Sequence, residues 1–186
     1  MMNNIKLIIE SWKKFLDEAM KTEPPEGYNV VIYNIDNRVV GIKFRSEEKI
    51  VSPRFPEGRY KYAGEMYIER SMTAEDGKTI YEVESVYADE GFGPLLYDLA
   101  MEMVHFLDGA GLMPDRRSIS YDAKNVWYKY FDERQDVEHK PLPEDLFTGS
   151  MSDRKEYLRQ YYFKNGTPII DRLKKDGKLI SSDFNI

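Results

Sequence analysis

The sequence contains no cysteine. That absence excludes disulfides, thiolate catalysis and cysteine-ligated zinc together, and suits a cytoplasmic protein. Histidine is scarce: His105 and His139 are the only two, far apart and without a His-x-x-x-His spacing. Neither a metal centre nor a Ser-His-Asp triad is expected from them. No run of eighteen or more apolar residues occurs, so no membrane-spanning helix is expected. The first residues lack the basic, apolar and small-residue order of a secretory signal. Positive charge is in deficit, with 27 Lys and Arg against 33 Asp and Glu, a net charge of −6. An acidic chain repels a phosphate backbone, which argues against nucleic acid as a partner. One segment departs from this balance: from Arg154 to Lys178 there is a local excess of basic residues, read as a solvated face or a contact for an anionic partner.

What is present is globular. Of 186 residues, 41% are hydrophobic and 13% aromatic, enough for one domain with a core. We place that domain at residues 1–140, with 141–186 as a C-terminal extension packing on it. The segment "IKLIIESWKKFLDEAM" puts Ile5, Ile8, Trp12, Phe15, Leu16 and Ala19 on one helical stripe that ends at Pro24 and Pro25. "YNVVIYNIDNRVVGIKF" reads as a hairpin, and "RSEEKIVSPRFPEGR" as a loop or lid. "YKYAGEMYIER" and "TIYEVESVYA" form a second strand pair around an Asp-Gly turn. Leu96, Leu99, Met103 and Phe106 then repeat at helical spacing, and "GAGLM" leads into another extended piece. In "SYDAKNVWYKYF", Ser120 is a helix N-cap and Ala123, Val126, Trp127, Tyr130 and Phe131 share a face. "DRKEYLRQYYF" reads as helical, and "TPIIDRLKKDGKLI" as a short helix or an extended edge. The order gives an α+β fold with a mixed, largely antiparallel sheet flanked by helices.

Between the second strand pair and its helix lies "ADEGFGPLLYDLAMEM" (Ala88 to Met103). A strand that ends in a glycine turn and opens a helix presents backbone N–H groups at a positive helix end, a geometry that binds diphosphate. No Gly-Lys-Ser/Thr follows, so it is not a Walker loop. The third glycine of a dinucleotide fingerprint is missing, and the flanking strands are hairpins rather than βαβ units.

The order of hairpin sheet, glycine turn, helix, strand and helix resembles the GCN5-related N-acetyltransferase superfamily over roughly Tyr60 to Arg134. In that family the turn has the pattern Gln/Arg-x-x-Gly-x-Gly/Ala, matched here by Ala88-Asp89-Glu90-Gly91-Phe92-Gly93. "SYDAKNVWYKYF" falls where the family has its Ala-x-x-Leu-Tyr helix. The block "GFGPLLYDLAM…GLMPDRRS…AKNVWYKYF" is also similar to acetyltransferase-like proteins of tailed phages. The resemblance implies acetyl-CoA as acyl donor and an amine-bearing acceptor. It implies that Val83, Ser85, Gly91, Phe92 and Gly93 line the cofactor site. Asp115, Arg116 and Arg117 of "MPDRRSIS" read as a structural ion pair with a cap, or Arg116 or Arg117 reaches the cofactor phosphates. A base and an acid complete the chemistry. Glu82 and Glu84, two apart on one strand, share a face and are the candidate bases, with Glu65 and Glu69 extending an acidic patch. The family's tyrosine acid falls on Trp127, whose indole cannot serve as an acid. Tyr130, on the same broad face, is the candidate substitute or a core residue. The sequence departs from the family at the turn as well: Ala88 replaces Gln/Arg, Asp89 and Glu90 are anionic, and Pro94 lacks an N–H.

Two functions follow from this reading. The first is acyl transfer to an amine. The second is a non-catalytic phage protein that keeps the fold to bind a protein partner, as a host-directed inhibitor or a virion-associated component. Ile8-Ile9-Glu10 and Leu16-Asp17-Glu18 resemble cleavage sites of phage head-maturation proteases, inside what reads as an ordinary amphipathic helix.

Overall fold

The structure, a computed structural model, describes residues 21–143, 155–182 and 184. The helix expected over residues 5–19 and its cleavage-like sequences lie outside them. Ten strands and three α-helices follow in chain order: β1 (Tyr28–Asp36), β2 (Val39–Ser46), β3 (Ile50–Ser52), β4 (Phe55–Arg59), β5 (Tyr62–Thr73), β6 (Thr79–Ala88), α1 (Gly93–Phe106), β7 (Gly111–Met113), α2 (Tyr121–Asp132), β8 (Glu138–Pro141), β9 (Gln160–Phe163), α3 (Pro168–Lys175) and β10 (Leu179–Ser181). Eight strands form one sheet in the order β10-β1-β2-β5-β6-β7-β9-β8. Among the described residues, β1/β10 and β6/β7 run parallel and the other paired strands antiparallel. The fold is α+β, with a mostly antiparallel mixed sheet flanked by helices.

Alternation along the strands sorts the sheet into two faces. Val30, Ile32, Ile42, Phe44, Met66, Ile68, Tyr81 and Val83 point to one face and form a continuous core with all three helices. Helix α1 lies at its centre: every residue from Leu95 to Val104 is buried, Asp98 and Glu102 included. The opposite face carries a small apolar cluster of Ala74, Ile80, Met113 and Tyr161. Its remainder is polar and aromatic.

Three expectations are corrected. The loop or lid at 45–59 contains the β3–β4 hairpin, a separate two-stranded unit. "EYLRQYYF" is not an α-helix; a 3-10 turn at Glu156–Arg159 leads into β9. Its Tyr-Tyr-Phe run pairs with β7 and β8, and these long-range ladders override the local helical pattern. Tail residues 168–181 form both alternatives in turn, helix α3 and then strand β10.

Candidate active site

The parallel pairing of β6 with β7 lasts three residues, Ile80–Glu82 against Gly111–Met113. Beyond it the strands part, and a cavity of about 240 Å³ opens between their ends. Its walls are Val83, Glu84, Ser85 and Val86 of β6, Tyr97 of α1, Asp115, Ser118 and Ile119 of the loop after β7, and Ala123 and Trp127 of α2. A larger hollow of about 630 Å³ lies against Ala74–Asp76 and Lys140–Pro143, at the other end of β6, and holds none of the residues expected from the sequence.

A β-bulge shapes the cavity wall. Against β5, Ser85 pairs with Tyr67 and Val83 with Ile68, which leaves Glu84 as the extra residue. The bulge breaks the strict alternation that would give Glu82 and Glu84 one environment. Glu82 is 4% exposed. Its carboxylate accepts from Arg116 N (2.9 Å), Arg116 Nε (3.1 Å), Arg116 Nη2 (2.9 Å) and Ser71 Oγ (2.9 Å). This carboxylate is a structural anchor, not a free base. Glu84 is exposed at the cavity, and nothing among the described residues pairs with it.

The same contacts give Arg116 its ion-pair reading, with Glu82 as the partner, and not the cofactor one. Its guanidinium holds Glu82 and Ser71 instead of reaching towards the glycine turn. Arg117 sits 3.6 Å from Glu69, and Lys43 3.3 Å from Glu65, so the wider acidic patch is largely neutralised within the sheet. The basic tail is also partly consumed: Lys164 pairs with Glu102 and Asp136, and Arg172 and Lys178 pair with Glu23.

Tyr130 is likewise placed away from the expected role. It is 2% exposed, and its hydroxyl lies 3.1 Å from both Pro94 O and Asp98 Oδ1. Burial, then the Asp98 charge, hold its phenol well above the usual tyrosine range. Arg134 bridges Asp98 and Asp136, and Lys164 continues the network to Glu102. Tyr130 therefore fastens the first turn of α1 to α2 through a buried polar network. Trp127, 1% exposed, packs edge-on against Tyr97 at 5.0 Å and forms the cavity floor.

At the glycine turn, Gly91 takes φ +82°, the left-handed region open to a residue without Cβ. Phe92 N–H turns back to Asp89 O (3.1 Å), and the Phe92 ring packs edge-to-face on Phe44. The side chain of Asp89 is held by the Tyr87 hydroxyl at 2.9 Å. Gly93 opens α1 with free space around its Cα, and no described residue accepts from the N–H of Gly91 or Gly93. Lys21 Nζ lies 4.1 Å from the centre of the Phe92 ring, a cation brought to the turn from 71 residues earlier in the chain.

Of the residues singled out from the sequence, Val83, Glu84 and Ser85 line this cavity together, with Asp115; Lys21 and Tyr97 were not singled out. Among the described residues, no helix is long and apolar enough to cross a membrane. Compared with known proteins, the chain matches no family model and no curated protein sequence.

Proposed function

We propose that the chain transfers an acyl group from a CoA thioester to an amine bound in the cavity between β6 and β7. The observation that carries this reading is the parting of the two parallel strands after Glu82 and Met113, beside a glycine turn that opens a helix. A parted parallel pair exposes backbone and side chains at the strand ends, where open α/β sheets hold ligands. The residues present fit the acyl donor at both ends. Gly91 and Gly93 N–H groups, with the Lys21 ammonium, suit the diphosphate. Val83, Val86, Ile119 and Trp127 give an apolar wall for the pantetheine arm. When bound, acetyl-CoA supplies an acyl group activated as a thioester. Glu84 is the carboxylate placed to take the proton that an attacking amine must lose. Titration calorimetry with CoA and acetyl-CoA tests the reading: binding is expected, and no heat together with no thermal shift at millimolar ligand overturns it.

A second reading, a binding protein without catalysis, is favoured by the charge at the turn. Asp89 and Glu90 flank the glycines, Pro94 removes a donor, and Arg116 is committed elsewhere. The partner would then be a host protein or another component of a phage particle. Failure to bind acetyl-CoA, together with a specific partner recovered from host lysate or incorporation into purified particles, supports this reading over the first.

A further inference from the structure

On the sheet face away from the helices, cations and aromatic rings alternate in one continuous path. It starts on the β3–β4 hairpin, where Lys49 Nζ lies 5.5 Å from the centre of the Tyr60 ring. The Arg45 guanidinium lies over the same ring at 4.4 Å. Arg45 of β2 pairs in turn with Tyr62 of β5. Lys43, two residues back along β2, lies 5.2 Å from the Tyr62 ring and 5.4 Å from the Tyr67 ring. Tyr67 meets Tyr33 edge-on at 6.5 Å across Gly41, which pairs with both. Strand alternation puts Lys43 and Arg45 on one face, about 6.8 Å apart. A second stack stands on the hairpin, with Arg59 and Arg54 over the Phe55 ring at 4.5 Å and 5.6 Å.

These cations differ from others of the sheet in what they touch. Lys78 pairs with Asp108, Arg116 with Glu82 and Arg117 with Glu69. Among the described residues, no carboxylate pairs with Arg45, Lys49, Arg54, Arg59 or Lys61, although Glu47, Glu48 and Glu57 share their stretch of chain. The first four rest on rings instead. Lys49, Arg54, Arg59 and Lys61 are exposed, and Tyr62 is 47% exposed. The chain is acidic as a whole, but from Lys43 to Tyr62 six basic residues stand against three acidic ones.

We propose that this path binds single-stranded nucleic acid, a role independent of the acyl-transfer reading. A single strand presents a row of phosphates and, beside it, unstacked bases with open faces. The path offers a match for each. Cations without carboxylate partners keep their donors for phosphate oxygens, and Arg45 brings a planar guanidinium as well. The rings of Tyr60 and Tyr62 supply platforms for bases between those cations. A duplex keeps its bases stacked inside, so it can use the cations alone. An acidic peptide likewise brings charge without planar faces. The negative charge of the rest of the chain opposes long-range attraction, which leaves binding to these local contacts.

Fluorescence anisotropy with short labelled single strands of mixed-sequence DNA and RNA tests the proposal. At low salt the full chain should bind one or both, at least about tenfold more tightly than a duplex of the same sequence. The logarithm of affinity should fall with the logarithm of salt by about 0.7 for each phosphate held. Replacing Arg45 and Lys49 together by Gln should weaken binding about tenfold or more and flatten that slope by about 1.4. Tyr62→Ala should weaken binding about tenfold and leave the slope unchanged, because stacking releases no counterions. No binding at low salt overturns the proposal. So does equal affinity for the duplex, competition by polyglutamate as strong as by an unlabelled single strand, or capture by phosphatidylserine vesicles in place of the single strand. A Tyr62→Ala chain that binds like the wild type overturns it as well. If the variants do not fold, the wild type decides: quenching of tyrosine fluorescence by the single strand and not by the duplex supports the proposal, and equal or absent quenching overturns it.

Discussion

The two faces of the sheet use the same charged and aromatic residue types to opposite ends. On the helix-covered face, Asp98, Glu102, Arg134 and Lys164 form a network whose side chains are all less than one-fifth exposed. Glu102, fully buried, accepts from Ile169 N (2.9 Å) and Ile170 N (2.9 Å), and so caps α3 from α1. On the other face, Lys43 lies over the rings of Tyr33, Tyr62 and Tyr67 at 5.1–5.4 Å and pairs with the partly exposed Glu65. Charges enclosed beneath helices tie distant segments together, and losing one strands its partners. Charges on a wetted face adjust and are worth little each.

The contrast is broken most forcefully at Glu102. Glu102→Ala leaves two buried N–H groups and Lys164 short of a partner, and should cost about 3–5 kcal/mol in urea denaturation. It should also alter the pH profile. Burial raises the carboxyls of Glu102 and Asp98 above their ordinary values. The folded state then binds more protons than the unfolded state from the ordinary carboxylate range upward, so stability falls as pH rises through that window. The variant should lose the part of that slope due to Glu102.

The opposite face is tested at Gly41. A Cβ there would lie 2.4 Å from Tyr33 Cζ, so the ring must swing aside. Gly41→Ala should cost about 1–3 kcal/mol, at the lower end because the displaced atoms are the tip of a side chain. The Tyr33 hydroxyl, 3.1 Å from the Tyr67 hydroxyl, is pushed up to about 12 mainly by burial. Ultraviolet titration should find it returning towards the ordinary tyrosine value. The smallest effect belongs to Lys43 and Glu65: a double-mutant cycle should give a coupling of about 0.2–1 kcal/mol. A coupling of several kcal/mol would erase the distinction between the faces.

Much of this fold was legible from local pattern. Alternation gave the hairpins, helical spacing gave α1 and α2, and Ser120 does accept from Ala123 N at 3.2 Å as an N-cap. What escaped depends on residues far apart in the chain. Glu82 and Glu84 look equivalent until β5 imposes its register and the bulge separates them. Arg116 reads as an ion pair or a phosphate contact until Glu82, 34 residues earlier, claims it. Tyr130 reads as a candidate acid or a core residue, and Tyr97 carries no assignment. Only the packing of α1 on α2 shows that Tyr130 is tied to Pro94 and Asp98 and that Tyr97 lines the cavity.

The edge strand β10 bears on how the chain folds. It lies parallel to β1, pairing Val30 with Leu179 and Ile32 with Ser181. Only once residues from opposite ends of the chain meet does this ladder form, so closing it carries the largest loop entropy in the sheet. Until then β1 presents an open strand edge, a template for pairing with other chains. The C-terminal tail thus acts as a late-arriving guard against self-association, and losing it would expose that edge.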